Sequence, residues 1–287
     1  MLLVTGGSGF VGSHITVRAR GRGLAVRVLA RRAGPGIDYA VDLADPAALA
    51  AVPLDDVTEV VHCAAAVPAR SRNFARDNVE TASTLSAALR GAPRLRRLVH
   101  VSSISVYASP ASGPWRIDEE APVIDPLCAL TPTYAQSKRS VEQTLDSVAV
   151  ASPKAGVVHL RASSIYGPGM IGSTLLPMLV ALARAGQPLV LRGPRGYVQN
   201  FIHVDDVADL AIAAAAAETP TVVNAFSDDT LGLFELADIV RTRLRSTSVV
   251  VDETTSQEVP SPSFVNLRAH ELLASFRTLR DHLAEVA

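Results

Sequence analysis

Short, mostly apolar runs alternate with stretches of helical spacing along the first 160 residues of the chain. The runs lie at residues 2–4, 25–30, 39–41, 59–65, 97–101 and 157–160. A strand that is covered on both faces shows such a run instead of strict alternation. Residues 73–89 and 132–150 have the spacing of helices. The pattern therefore predicts an α/β fold with a doubly wound parallel sheet.

The second half of the chain is less regular. A proline-containing connection at 103–134 is long for a compact domain, and such connections are usually functional. Beyond Gly169 the pattern predicts a helix over 175–184, a strand over 189–191 and an alanine-rich helix after Asp206.

These elements suggest a division into two units. Residues 1–165 are predicted to form the sheet domain, with about 200–230 returning to it. Residues 166–199 and 231–287 are predicted to form a smaller C-terminal α/β lobe that binds the substrate.

Composition narrows the functional classes. The 287 residues have a net charge of −1 and 19% charged residues, so no basic field is available for nucleic acid. The longest apolar runs, such as 210–217, fall short of the roughly 18 residues of a membrane span. Met1 leads directly into the first strand without a signal peptide pattern, and Cys63 and Cys128 make no disulfide framework. We expect a cytoplasmic protein without a metal site.

A glycine-rich turn links the first strand to the first helix. Gly6, Gly9 and Gly12 follow the strand directly. Glycine is needed where a backbone amide approaches a phosphate or where a helix presses on a strand. The amides at the helix start, including those of Phe10 and Val11, are expected to bind a pyrophosphate.

A tyrosine, a lysine and a serine form the candidate catalytic group. Tyr134 and Lys138 lie four residues apart and share one helix face. A nearby ammonium lowers the pKa of a phenol, which is otherwise near 10. Ser103 follows a predicted strand, at the sheet edge where open α/β sheets bind ligands. Only two lysines occur among the 27 basic residues, which makes Lys138 notable.

The chain resembles the extended short-chain dehydrogenases/reductases, the NAD(P)-dependent epimerase/dehydratase family, over roughly residues 1–240. The resemblance implies a Rossmann domain. It rests on these segments: 5–12, Asp42-Leu43, 62–65, Asn78-Val79, 102–107, 134–138, 161–169 and 201–206.

The resemblance assigns roles to the candidate catalytic group. Tyr134 would be the acid or base beside the substrate carbonyl or hydroxyl. Lys138 would hold the nicotinamide ribose and lower the Tyr134 pKa. Ser103 would fix the reacting oxygen, and Ser102 beside it is also expected to contact the substrate.

The resemblance also implies cofactor contacts. Asp42 and Leu43 would meet the adenine, and Ala64 and Ala65 would line the dinucleotide. Ser164 would lie near the nicotinamide or the substrate.

One departure from the family bears on the cofactor. NAD-preferring members usually have an acid at the end of the second strand, where this chain has Ala30 followed by Arg31 and Arg32. Loss of the carboxylate and gain of guanidinium groups suit a 2′-phosphate. We predict NADP(H) rather than NAD(H).

Two further departures bear on the reaction. The dehydratases have Asp-Glu directly after the catalytic hydroxyl, where this chain has Ile104 and Ser105, which argues against dehydration. Asp205 and Asp206 are interpreted as helix caps and not as catalysts.

Members that bind a nucleotide-sugar diphosphate commonly have an arginine and an acid just before the segment at 201–206. Here those positions are Gln199 and Asn200. Gln199 is kept as a candidate substrate contact, and the missing charge is expected from one of three arginines, Arg192, Arg195 or Arg268.

We predict an NADPH-dependent reductase of a ketone, first of all a nucleotide-linked keto-deoxysugar. The alternatives are a nucleotide-sugar epimerase, a reductase of a non-sugar ketone, and a dinucleotide sensor without catalysis. Retention of Tyr134 and Lys138 argues against the sensor. A homodimer through helices 73–90 and 132–150 is a further expectation.

Overall fold

The computed structural model describes the chain except for residues 69–72, 127–131, 153, 171, 173, 219–220 and 287. Its strands are β1 (Leu2–Thr5), β2 (Val26–Ala30), β3 (Tyr39–Ala40), β4 (Glu59–His62), β5 (Arg97–Ser103), β6 (Gly113–Ile117), β7 (Gly156–Ala162), β8 (Ser164–Tyr166), β9 (Leu189–Pro194), β10 (Val198–His203), β11 (Val222–Ala225), β12 (Thr230–Gly232), β13 (Val250–Thr255) and β14 (Pro260–Phe264). Its α-helices are α1 (Phe10–Gly21), α2 (Pro46–Ala50), α3 (Thr81–Leu89), α4 (Tyr134–Ala151), α5 (Leu175–Arg184), α6 (Val204–Ala216), α7 (Leu233–Arg243), α8 (Leu267–Leu272) and α9 (Leu279–His282).

Seven strands form one parallel sheet in the order β11-β7-β5-β4-β1-β2-β3. The helices α1 and α6 pack on one face through an apolar cluster, and α3 and α4 pack on the other. The chain winds outwards in opposite directions from β1 and β4, so the carboxyl ends of these two strands flank the crevice where such sheets bind ligands. The predicted doubly wound α/β fold is confirmed.

The smaller strands lie outside this sheet. Strands β8, β10 and β12 form a three-stranded sheet, β9 pairs with β13, and β6 pairs with β14. A separate apolar cluster joins residues of α5, α7, β9 and β10, including Leu179, Leu189, Leu236 and Phe201. The boundaries predicted for the two lobes stay a prediction.

Three elements differ from the sequence-based expectation. The long connection after β5 contains β6, whose proline and exposed Arg116 hide its pairing with β14. The helix expected at 73–89 begins as a π-helical turn, Ala75–Glu80, before α3. Strand β4 ends at His62 instead of Ala65, because the small residues that follow pass beside the glycine turn.

Backbone contacts explain the glycines between β1 and α1. Gly6 has a φ of +71°, in the left-handed region that favours glycine, and a Cβ there would lie 2.7 Å from Ala64 N. The Gly9 amide donates to Gly6 O at 2.8 Å. A Cβ on Gly12 would lie 2.3 Å from the same oxygen, which is closer than a carbon can approach. The turn therefore closes only with glycine at positions 6 and 12.

We expect Gly12→Ala to lower the free energy of unfolding by about 1–3 kcal/mol, because the added methyl group must displace the Gly6 carbonyl. Gly21→Ala is the matched control, since it lies in the same helix with nothing within 4 Å of its Cβ position. Alanine there should be neutral or stabilising by up to about 1 kcal/mol. Urea unfolding of both variants measures the difference, and equal stabilities would contradict this account of the turn.

Candidate active site

The amino end of α1 faces the crevice next to β4. The N-cap residue is Gly9, which has no side chain to accept hydrogen bonds from the helix. The first amides of the helix, those of Phe10 and Val11, are therefore not capped by a side chain. These amides and the partial positive charge of the helix end suit a pyrophosphate. Ala64 and Ala65 follow β4, and Ala64 lies against Gly6. The residues present fit a dinucleotide at this turn.

Tyr134, Lys138 and Ser103 come together at the carboxyl end of β5. Tyr134 is the first residue of α4, directly after the N-cap Thr133. Lys138 is buried one turn later, and its Nζ donates to Val101 O at 2.9 Å. Ser103 ends β5, and its Oγ accepts from the amide and the hydroxyl of Ser105 at 3.2 and 3.0 Å.

Burial dominates the protonation of this group. It raises the pKa of the Tyr134 phenol above its usual value, and a hydrogen bond with Ser103 opposes the shift only in part. The expectation that Lys138 lowers this pKa is therefore not met in the free protein. Burial also lowers the pKa of Lys138 to about 8, and the nearby Glu142 carboxylate opposes this shift only in part. At neutral pH Tyr134 holds its proton, so it is suited to donate one.

Glu142, in the middle of α4, carries a buried carboxylate that faces β7. Glu142 accepts hydrogen bonds from Arg161 of β7 at 3.0 and 2.9 Å and from Ser102 at 2.6 Å. Burial by itself would raise the pKa of Glu142, but its hydrogen bond with Arg161 and nearby positive charges lower it overall. Ser102, expected to contact the substrate, is 4% exposed and directs its hydroxyl to this carboxylate. We therefore remove Ser102 from the substrate contacts.

Three histidines, one on each of the neighbouring strands β4, β5 and β7, form a row across the sheet near Lys138. His62 Nδ1 lies 2.8 Å from Thr5 Oγ1, and His100 Nδ1 lies 3.3 Å from His159 Nδ1. His159 Nε2 in turn lies 3.0 Å from a carboxylate oxygen of Asp146. Burial, followed by the charge of Lys138, lowers the pKa of His62 to about 3 and that of His100 well below its usual value. Both are neutral at neutral pH.

The residues expected at the adenosine lie at the ends of β2 and β3. Asp42 Oδ2 accepts from Arg76 at 2.6 Å, and Leu43 is buried behind it. Arg31 and Arg32 follow β2 and are exposed. The sequence pattern does not reveal Arg76, because its contact with Asp42 joins segments 34 residues apart.

Asn78 is a second residue whose place emerges only from the fold. Its buried side chain accepts from the Ala66 amide at 2.7 Å and donates to Ser137 Oγ at 2.9 Å. The loop after β4 is thereby joined to α4. In the sequence, the family-like segment at 78–79 marks Asn78 but does not indicate its role.

Two of the candidate substrate residues touch each other. The Gln199 side-chain amide donates to Ser164 Oγ, and both side chains are partly exposed. Arg268 lies elsewhere: it donates to Val222 O at 3.1 Å, at the amino end of β11, and pairs with Glu120. Because ligands bind at the carboxyl ends of these strands, we withdraw Arg268 as a substrate contact.

The other two arginines that were expected to supply charge are paired with acids of β13. Arg192 contacts Glu253 at 2.8 Å and Arg195 contacts Asp252 at 2.6 Å, and both arginines are largely exposed. Both ion pairs lie on the β9–β13 pair.

The expected helix caps also require correction. His203 is the N-cap of α6 and accepts from the amide of Asp205 at 3.2 Å. Asp205 and Asp206 lie inside the first turn and form ion pairs with Arg18 and Arg277, respectively. Both acids therefore serve packing between elements and have no place in the catalytic group.

Neither a metal cluster nor a membrane span is found in the part of the chain that the structure describes. It contains no group of three or more histidine, cysteine, aspartate or glutamate side chains arranged to hold a metal ion. Among the same residues, every helix is too short or too polar to cross a bilayer.

The shifted pKa of Lys138 makes the stability depend on pH. Between pH 8 and 10 the unfolded chain, with a lysine pKa of 10.5, binds more protons than the native chain, so stability rises with pH. We expect the free energy of unfolding of the wild type to rise by about 2 kcal/mol relative to that of Lys138→Met across this window. Exposed Lys154, the other lysine, gives the control Lys154→Met, whose urea-unfolding profile should follow the wild type. Parallel curves for all three proteins would contradict the shift.

Comparison with known proteins shows the family of the chain. The model of the NAD-dependent epimerase/dehydratase family matches residues 2–225. A 3-diazoavenalumate denitrifying reductase of a Streptomyces species is 34% identical, with 79% of this chain and 76% of the relative covered. A dTDP-6-deoxy-L-talose 4-dehydrogenase (NAD(P)(+)) of Kitasatospora kifunensis is 30% identical over 77% of this chain and 72% of its own. Of a trifunctional UDP-sugar enzyme of Arabidopsis thaliana, the chain covers only 34%.

Solved structures show the same likeness. MoeE5, in complex with UDP-glucose and NAD, superposes with a TM-score of 0.78 at 25% identity, over 99% of this chain and 96% of MoeE5. The family model, the relatives and the shared fold lead to one conclusion. The chain is an NAD(P)-binding enzyme that belongs to the NAD-dependent epimerase/dehydratase family of extended short-chain dehydrogenases/reductases.

Proposed function

We propose that the chain is an NADPH-dependent reductase that transfers hydride to a substrate carbonyl carbon while Tyr134 gives a proton to the carbonyl oxygen. The bound cofactor supplies the hydride. The single observation behind the proposal is the convergence of Tyr134, Lys138 and Ser103 at the carboxyl end of β5, on the same sheet edge as the glycine turn.

The protonation of Tyr134 supports its role as the proton donor in the reduction. Its pKa is raised by burial, so the phenol retains its proton at neutral pH and acts as a general acid. Ser103 is oriented by two hydrogen bonds from Ser105 and would hold the carbonyl oxygen near that proton. Lys138, with a pKa of about 8, is mainly cationic at pH 7 and would hold the cofactor ribose.

The cofactor preference follows from the end of β2. Ala30 provides no carboxylate for the ribose hydroxyls, and Arg31 and Arg32 provide positive charge for a 2′-phosphate. NADP(H) is therefore proposed over NAD(H). Net reduction draws on a reduced cofactor that exchanges with solution, which fits a reductase better than an epimerase.

A nucleotide-linked keto-deoxysugar is the first candidate substrate. The dTDP-6-deoxy-L-talose 4-dehydrogenase relative and the UDP-glucose complex of MoeE5 support this class. Hydride addition to a C4 ketone of such a sugar would give a 4-hydroxy sugar.

A non-sugar acceptor is the second candidate, and one contact favours it. Gln199 and Ser164 form a neutral pair where the family pattern has a diphosphate-binding arginine. The 3-diazoavenalumate denitrifying reductase relative fits this class.

We expect Tyr134→Phe to lower kcat for NADPH-dependent reduction by roughly 10²–10⁴-fold, because the proton donor is lost. NADPH affinity should stay unchanged, since the phenol acts on the substrate oxygen. Tyr39→Phe, on the edge strand β3, is the control and should keep full activity. Undiminished turnover by Tyr134→Phe would refute the assignment.

A substrate panel separates the two candidates. NADPH oxidation is followed with a dTDP-linked 4-keto-6-deoxyhexose, the same sugar without its nucleotide, and aryl ketones. For the first candidate, we expect turnover of the nucleotide-linked sugar and a KM about tenfold lower in Gln199→Arg, which regains a charged donor for the diphosphate. Turnover of aryl ketones alone, with no gain in Gln199→Arg, would assign the enzyme to the second class.

A further inference from the structure

A group of two arginines and two aspartates lies at the ends of β2 and β3. Its members come from three segments: Arg31 after β2, Asp42 after β3, and Arg76 and Asp77 on the π-helical turn. We call it the arginine pair site, after Arg31 and Arg76.

One oxygen joins the two guanidinium groups. Asp77 Oδ1 lies 3.6 Å from Arg31 Nη1 and 3.4 Å from Arg76 Nη1. The two guanidinium nitrogens are therefore separated by no more than the sum of these two distances. A phosphate, whose oxygens point in several directions and accept at about 2.7–2.9 Å, can contact two donors at such a separation.

Asp42 fixes the second guanidinium group. Its Oδ2 accepts from Arg76 Nη2 at 2.6 Å, so Arg76 is held at both nitrogens by carboxylates. Holding the side chain in advance reduces the entropy lost when a ligand binds. The side chains of Arg31 and Arg76 nevertheless remain 68% and 43% exposed, which leaves them accessible from solvent.

The position suits one part of a dinucleotide. Strands β1, β2 and β3 are neighbours in the parallel sheet, so the arginine pair site and the glycine turn share one edge. In this kind of sheet, the residue after the second strand approaches the adenosine 2′ position. NADPH has a phosphate there and NADH has a hydroxyl group.

We propose that Arg76 binds the 2′-phosphate of NADP(H) together with Arg31, and that Asp42 and Asp77 position the pair. This inference rests on the proposed preference for NADP(H). It makes Arg76 a specificity-determining residue contributed by the π-helical turn that follows β4 in the chain.

Fragment binding to the intact protein tests the proposal without turnover. Calorimetry with adenosine 2′,5′-bisphosphate and with 5′-AMP isolates the 2′-phosphate, and fluorescence titration compares NADPH with NADH. We expect Arg76→Gln to weaken binding of the bisphosphate and NADPH about 10–100-fold, as for loss of a charged hydrogen bond, with 5′-AMP and NADH unaffected. Arg76→Lys should retain part of the affinity, and added salt should reduce the difference.

Arg20→Gln is the matched control. Arg20 also forms an ion pair with an aspartate, Asp38, and its side chain is 39% exposed, close to that of Arg76. This variant should bind all four ligands as the wild type does.

The outcomes are distinguishable. Equal binding of NADPH and NADH by the wild type would refute the proposed cofactor preference and this inference together, leaving the reductase chemistry to the Tyr134 test. A wild-type preference that persists in Arg76→Gln, or an equal loss for all four ligands, would overturn the role of Arg76 alone. If Arg76→Gln fails to fold, an unchanged preference in Arg76→Lys and Arg31→Gln would overturn it instead.

Discussion

The active site depends on how the polar face of α4 is attached to the sheet. Lys138, Glu142 and Asp146 follow one another at intervals of four residues, and contact the β5 backbone, an arginine of β7 and a histidine of β7, respectively. Leaving one partner of a buried ion pair uncompensated costs about 3–5 kcal/mol, so a shift of α4 by one turn would be strongly unfavourable. Tyr134, at the start of the same helix, is therefore held at a defined place relative to Ser103.

The same contacts limit the number of charged side chains near the reacting groups. Burial keeps His62 and His100 neutral, so these two histidines add no cation beside Lys138. Burial of Lys138 itself disfavours its charged form, at the expense of stability at neutral pH. Active sites commonly combine such a destabilising buried group with stabilising contacts elsewhere. Here Glu142, which is hydrogen-bonded to Arg161 and Ser102, provides such contacts.

The sequence predicted the parallel sheet, the glycine turn and the Tyr134–Lys138 face, because each has a local pattern. It failed where distant segments decide the contact. Strand β6 is stabilised by β14, whose paired residues come 147 positions later, and Arg76 meets Asp42 only after β3 and β4 are placed. Ser102 shares a motif with Ser103, but neighbours on a strand point to opposite sides, and Ser102 turns to Glu142.

The pairing of β6 with β14 has a consequence for biosynthesis. The connection that leads from β5 to α4 is tied to the C-terminal part of the chain through this pairing and through the contact of Glu119 with the Asn224 amide. A nascent chain on the ribosome completes the central strands of the sheet long before β14 is synthesised, and contacts of high sequence separation form late. Strand β6 and the Glu119 contact are thus among the last parts of the molecule to mature, after translation has delivered their partners.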